Sequence, residues 1–283
     1  MAETLTKSRF VLGLDCPQKL VYQRDPSYRN LRLEDAFLHA LADGGAQVAE
    51  FAKAHFHEGQ KVETLEPTKA LEETDKLLRR ENVVIFEAAF RWRNCFIRID
   101  ILEKRGQDLH IYEIKGKSFD SRQPTSFKGG SGAILSDWKP YLYDVAFQKF
   151  VLQNAYPAAD VCASLMLVDK SSVCPIDNLN RYFEISLAEG RVRCNKNAPI
   201  PEAAIDAGIL KSVSVDQICQ EIYESQTHGS RLNGSFEDVV AELSDICEGS
   251  RLPVEGLAGS CGACEFKRVN DSDPLRSGGE LCV

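Results

Sequence analysis

The chain has 283 residues, 43% hydrophobic and 27% charged, with 34 Lys or Arg against 42 Asp or Glu and a net charge of -8. That composition suits one elaborated globular domain or about two, and it excludes wholesale disorder, collagen-like repeats and a polytopic membrane protein. No apolar run approaches the ~20 residues of a membrane span, and the apolar stretch at 10–14 is too short for a secretory core, so the sequence reads as cytoplasmic with no membrane partner.

Residues 6–23 carry a helical apolar pattern interrupted at Cys16-Pro17. Further helices are expected over 33–42, 46–55 and 68–80. The period then changes. VVIFEAAF (83–90), CFIRIDIL (95–102) and LHIYEIKG (109–116) are β-branched and aromatic runs separated by short polar turns, the pattern of an antiparallel meander. A stretch rich in Gly, Ser and Pro over 116–136 is long enough to form a loop above whatever the strands present. A helix is expected again at 139–153, then a buried strand at VCASLMLVD (161–169), an edge strand at 182–186, and helices at 213–225 and 236–247. The order αβββαβ points to an α/β core, a mixed sheet flanked by helices. Three regions are expected: helical at 1–60, the core at 61–190, and a helical, cysteine-rich end at 191–283.

Charge is unevenly spread. Between Glu87 and Lys149 eleven Lys or Arg stand against eight Asp or Glu, so the meander and the helix after it form the basic part of an acidic chain. Such variation is more often a solvated face than a nucleic-acid site.

In CFIRIDIL the isoleucines at 97, 99 and 101 alternate with Arg98 and Asp100, which puts Asp100 on a polar face. Glu113 and Lys115, two apart, share a face of the next strand. With Gly106-Gln107 as a two-residue hairpin loop, Asp100 stands opposite Glu113. Facing carboxylates repel and call for a compensating cation. Mg2+ or Mn2+ would fill that role, taking oxygen ligands and activating a water, and Lys115 would stabilise charge developing on a phosphate or position the attacking water. The reaction suggested is phosphodiester hydrolysis; the bland alternative is Glu and Lys alternating on a solvated sheet face.

Ten cysteines are many for a cytosolic chain, where disulfides are a poor explanation. Cys95, Cys162, Cys174, Cys194 and Cys219 are scattered and read as small buried hydrophobes. Cys16, Cys247, Cys261, Cys264 and Cys282 lie towards the ends, and only Cys261 and Cys264 form a CxxC pair, in SCGACEF, whose glycines let both sulfurs face one ion or cluster.

The order of Glu87, Asp100 and YEIKGK, followed by DVAFQKFVLQ, resembles the PD-(D/E)XK nuclease superfamily and in particular its RecB-like branch. The opening KSRFVLGLDCPQKLVY, with one cysteine near the start and a CxxC plus a final cysteine near the end, is similar to the iron-sulfur members such as the CRISPR-associated RecB-like exonucleases. The resemblance covers nearly the whole chain. It implies a restriction-endonuclease-like core, DNA cleavage with Mg2+ or Mn2+, and a four-iron four-sulfur cluster in a subdomain joining the two ends. By position it makes Asp100, Glu113 and the carbonyl of Ile114 metal ligands, Lys115 the catalytic lysine, Gln148 an orienting residue and Glu87 a flanking acid. Cys16, Cys261, Cys264 and Cys282 would hold the cluster, with Cys247 a rival fourth ligand and a four-cysteine zinc site the competing chemistry. The sequence departs from the pattern where relatives carry a histidine: GGAQVAEFAKAHF has Ala46 or Gln47 there, and His55 and His57 follow a helix length later.

DNA is the partner implied, single-stranded or at ends. Phosphate contacts are expected from Lys117, Arg122, Lys128, Lys139 and Lys149. Phe119, Phe127 and Trp138 are expected either to stack on unpaired bases or to pack the loop onto the sheet. Two rivals to a nuclease with a structural cluster are a non-catalytic nucleic-acid-binding module of the same fold and a redox-sensing relative, and a protein partner that completes the site is a further expectation.

Overall fold

The structure, a computed structural model, describes residues 3–123, 127–188, 191–229, 231–254, 256–257, 259–270 and 272–282. In chain order the elements are α1 (Lys7–Asp15), α2 (Gln18–Arg24), α3 (Ala36–Lys53), β1 (Gln60–Lys61), α4 (Pro67–Leu78), β2 (Asn82–Trp92), β3 (Cys95–Arg105), β4 (Asp108–Phe119), α5 (Lys139–Ala155) and β5 (Asp160–Asp169). There follow β6 (Phe183–Ala188), β7 (Arg191–Lys196), α6 (Glu202–Asp206), β8 (Leu210–Ser214), α7 (Asp216–Glu224), α8 (Phe236–Glu248) and α9 (Gly279–Cys282). Two compact units result: Met1–Leu38 with Trp92–Phe96 and Gln220–Val283, and His39–Arg91 with Ile97–Cys219.

The second unit is an α/β fold around a mixed six-stranded sheet of order β1-β2-β3-β4-β5-β8. β3 and β4 are antiparallel, β4 and β5 parallel, and β8 returns antiparallel to β5. Gly106 takes φ 59° in the two-residue β3–β4 turn, a conformation glycine adopts at little cost, and this fixes the register of the hairpin. Residues of alternate parity bury on opposite sheet faces. One face packs Phe86, Ile101, Ile114 and Met166 against Phe51 and Ala52 of α3. The other meets α5, whose residues from Leu142 to Gln148 are all buried. α4 begins on Pro67, with the Glu66 carboxylate accepting from the Thr68 and Lys69 amides at 2.9 and 2.8 Å, satisfying two of the donors a helix start leaves open.

The first unit joins both ends of the chain. α1 stops at Cys16 because Pro17 offers no N–H to continue it, and α2 starts afresh, so the expected interruption is present. Phe10 packs edge-to-face on Phe236 of α8 at 5.7 Å, and α8 opens with a Ser235–Asp238 capping box and closes at Gly249 with φ 92°. A separate small cluster holds Tyr22, Tyr28, Phe266 and Cys282.

The αβββαβ order is present as α4-β2-β3-β4-α5-β5. Four expectations differ. The helices read at 33–42 and 46–55 are one helix, α3, which runs through Gly44 and Gly45; each glycine costs a helix ~1 kcal/mol, and the burial of Phe51 and Ala52 offsets it. The strand at 182–186 is β6, paired with β7 in its own two-stranded sheet and not at the main sheet's edge. The helix at 213–225 divides into β8 and α7, because a strand of five residues carries too little pattern to be read. The loop expected over 116–136 starts later, since β4 continues to Phe119, and its residues Pro124, Thr125 and Ser126 lie outside those described. Among the described residues no helix is long and apolar enough to cross a membrane.

Candidate functional site

The β3–β4 ladder runs from Arg105 and Asp108 to Ile101 and Tyr112, so Asp100 and Glu113 are the next facing pair, as the two-residue turn requires. Glu113 is 1% exposed. Its Oε1 accepts from Lys115 Nζ at 2.6 Å and its Oε2 from Gln148 Nε2 at 2.9 Å. Both donors also reach Asp144 on α5: Lys115 Nζ donates to Oδ2 at 2.7 Å and Gln148 Nε2 to Oδ1 at 2.9 Å. The four side chains close a ring of two carboxylates and two donors. Asp100 stands beside it, its Oδ2 accepting the Ile114 N–H at 3.0 Å.

The bland alternative for Glu113 and Lys115, alternation on a solvated sheet face, does not hold. α5 covers that face, and the cation answering the facing carboxylates is first of all Lys115. A buried carboxylate costs several kcal/mol unless paired, so Lys115 and Gln148 are what allow Glu113 to be charged where it sits. Sequence reasoning does not single out Asp144. Its one signal is the spacing to Gln148, four residues on and on the same helix face.

Glu87 lies apart from the ring, its Oε2 3.5 Å from Arg98 Nε, while the Arg98 guanidinium also donates to the carbonyls of Val62 and Thr64. It has φ 59° in the middle of β2, a left-handed conformation that costs a non-glycine residue roughly 1–3 kcal/mol. His55 feels the charges of His57 and Asp206, and burial pushes its pKa down. His57 lines a cleft with Arg80, Lys104 and Arg105 at the hairpin end of the sheet.

Asp100, Glu113 and the backbone of Ile114 are hard oxygen donors suited to Mg2+ or Mn2+. The amide Oε1 of Gln148, whose Nε2 bonds Glu113, is buried without a hydrogen-bond partner, an orphaned acceptor. The residues therefore fit a divalent cation by donor chemistry. As arranged, the Glu113 carboxylate is turned to Lys115 and Gln148 and that of Asp100 to the Ile114 N–H, and among the described residues no three His, Cys, Asp or Glu side chains are gathered closely enough to hold one ion.

The expected DNA-contacting cations are engaged locally. Lys117 pairs with Asp137 at 2.9 Å and lies 4.6 Å over the Trp138 ring; Lys149 pairs with Asp216 at 2.5 Å. Arg122 pairs with Asp120 at 2.8 Å and holds its carboxyl down at about 2. Burial lowers the pKa of Lys139, which lies over Tyr143, and Lys128 sits in a bridge with Ile134. Phe119, Phe127 and Trp138 are buried, the last two edge-to-face at 5.2 Å, so of the two readings of these rings the structure supports packing. Tyr141, half-buried, is the ring nearest the site, with Lys115 and Lys117 Nζ at 5.7 and 5.6 Å from its centre.

All ten cysteines are free. Cys95 and Cys219 are buried, as expected of small hydrophobes, but Cys162 at the start of β5 is exposed and lines a cleft with His110. Cys16, Cys264 and Cys282 surround Tyr22 closely enough to feel one another's charge, and Tyr22 Oη lies 2.9 Å from Cys282 Sγ. Cys261 is one turn before Cys264, whose N–H it accepts at 3.1 Å. Cys247 instead neighbours Cys95. Burial raises the thiols of Cys16 and Cys264, so they stay protonated unless a metal compensates. Near Cys16, Arg231 donates from Nη2 to the Gly256 carbonyl, while its buried Nη1 has no acceptor. Thiols near Tyr22 beside an orphaned cationic donor suit an anionic metal-sulfur centre by donor chemistry, while among the described residues no three cysteines are gathered closely enough to hold one ion. No protein-family model matches the chain, and no curated protein matches it.

Proposed function

We propose that this protein is a metal-dependent DNA nuclease of the RecB-like PD-(D/E)XK type, with a restriction-endonuclease-like core and a four-iron four-sulfur cluster. It hydrolyses phosphodiester bonds as an exonuclease at DNA ends or on single strands. The observation that carries the reading is the buried Glu113 paired with half-buried Lys115, bonded to Gln148 and facing Asp100 across the hairpin. Asp100, Glu113 and the Ile114 carbonyl would hold Mg2+ or Mn2+, which supplies Lewis acidity and an acidified water. Lys115 places an ammonium against the phosphate oxygens, where negative charge grows in the transition state. Gln148 fixes the Glu113 carboxylate, and Glu87 with Arg98 flanks the approach. Lys117, Arg122, Lys128, Lys139 and Lys149 bind phosphates by exchanging intramolecular partners for DNA, which makes binding salt-dependent. Cys16, Cys261, Cys264 and Cys282 would carry the cluster, leaving Cys247 with Cys95.

A second reading, a nucleic-acid-binding module without catalysis, is favoured by the way Lys115 already engages both carboxylates. One assay separates the two. Anaerobically purified protein is incubated with end-labelled single- and double-stranded DNA and Mn2+ or Mg2+, beside Asp100→Asn, which keeps an acceptor for the Ile114 N–H. The nuclease reading expects metal-dependent products that fall at least ~100-fold in the variant. DNA binding without products from folded, cluster-bearing protein would establish the binding module instead.

A further inference from the structure

The ring around Lys115 holds more anion than one ammonium needs. Glu113 alone, at 2.6 Å and 1% exposed, would neutralise Lys115. Yet α5 spends a position that its neighbours Tyr143 and Val145 fill with apolar bulk on a second carboxylate, Asp144, only 7% exposed. A carboxylate so buried is a cost to folding, and an apolar residue of similar volume would commonly be as stable or more so.

Competition for Glu113 accounts for it. The Oε1 atom that Lys115 occupies belongs to a carboxylate assigned to the divalent cation, and an ammonium and a cation exclude each other from one oxygen by repulsion. If Lys115 had no other partner, metal binding would strand a half-buried charge or expel the lysine from the site. Asp144 Oδ2, 2.7 Å from the same Nζ, is the second anion, and its Oδ1 holds Gln148 Nε2 in the same way. Glu113 can thus be withdrawn from both donors while Asp144 keeps them in place.

We infer that Asp144 is a positioning residue that retains Lys115 and Gln148 at the site while Glu113 serves the divalent cation, an inference that rests on the metal-dependent reading of this site. Metal affinity and the lysine's placement are then linked: Lys115 competes with the cation for Glu113, and Asp144 relieves the competition.

The test is Mn2+ binding to the cluster-bearing full-length protein without DNA, read from the EPR signal of free Mn2+. The proteins are wild type, Asp144→Asn, Lys115→Met and the double variant, each checked for folding by thermal melting. Asp144→Asn keeps an acceptor for Gln148 and is close to isosteric. It should weaken Mn2+ binding by ~10-fold or more, since Lys115 then loses the anion that shares it with Glu113 and holds Glu113 more firmly through a charge-assisted bond. Lys115→Met should bind Mn2+ more tightly than wild type, and adding Asp144→Asn to it should change affinity by less than ~3-fold, because the residue acts through the lysine. In cleavage, Asp144→Asn should lower kcat and leave KM for DNA unchanged. Folded Asp144→Asn with wild-type Mn2+ affinity would overturn the inference, and so would an undiminished loss in the Lys115→Met background, which would mark Asp144 as a direct ligand. Wild type that binds no Mn2+ removes the nuclease reading as well. If Lys115→Met fails to fold, Asp144→Asn against wild type still decides.

Discussion

The carboxylate ring and the cysteine corner each gather ionisable groups that burial disfavours, and they resolve the problem in opposite ways. In the ring, Lys115 and Gln148 satisfy Glu113 and Asp144 from within the fold, and Asp100 is satisfied by the backbone. In the corner, burial keeps Cys16 and Cys264 protonated, and a guanidinium N–H of Arg231 is left with no acceptor. On the proposed function the first, complete as a folded structure, would have to surrender bonds to bind a metal, and the second would gain bonds by binding one. Among the described residues of 259–282 the buried hydrophobic ones are Phe266 and Cys282, and polar bonds tie the segment to the start of the chain, Glu265 to Lys19 at 2.5 Å and Asp273 to Arg29 at 2.8 Å.

The largest expected effect breaks the corner. Cys264→Ser should abolish iron and acid-labile sulfide in anaerobically purified protein and unfold the 259–282 segment, since metal–thiolate binding is itself folding free energy and is worth about 10 kcal/mol in small sites. Stoichiometric zinc in the wild type would replace the cluster with a tetrahedral site. Next in size is Lys115→Ala, which leaves Glu113 and Asp144 buried and facing without their cation. Urea unfolding should show a loss of about 3–5 kcal/mol, and Mn2+ should restore part of it; an unchanged midpoint would mean the ring is weaker than its geometry.

Those two outcomes bear on what the sequence discloses. The opposition of Asp100 and Glu113 is legible because a two-residue turn with Gly at a left-handed position leaves one register, and every pair in the ladder obeys it. The burial of Glu113 is not legible, because strand alternation marks faces without saying what covers them. Asp144 is hidden for a related reason: α5 is buried through seven consecutive residues, so its pattern does not reveal which side meets β4. The cysteines towards the chain ends are legible as positions, but their surroundings are tertiary, Tyr22 beside Cys282 and Cys95 beside Cys247.

A smaller effect concerns acid stability. Asp169, at the end of β5, would be raised by desolvation, but hydrogen bonds from the hydroxyls and amides of Ser121 and Ser171 outweigh this and hold its carboxyl well below 3.8, with Lys211 Nζ 3.2 Å away. A depressed folded-state pKa gives stability that is fully present above the unfolded value and is lost as the pH falls below it. Asp169→Asn should therefore destabilise at pH 7 and converge on wild type as the pH falls below ~3.8. A difference independent of pH would assign the residue a purely steric role. The smallest effect is expected of Tyr22→Phe, which removes the hydroxyl that donates to the Gly278 carbonyl at 2.8 Å and approaches Cys282; a loss of about 1 kcal/mol should appear in denaturant unfolding.

The proposed contrast, a self-compensated site against one that a metal-sulfur centre would complete, is tested most directly by hydrogen exchange with mass spectrometry, before and after removal of iron from anaerobic protein. The account predicts that peptides spanning 97–119 and 139–155 keep their protection, while those spanning 7–24 and 259–282 lose it. Equal loss in both regions, or protection of 259–282 that iron removal leaves unchanged, would contradict it.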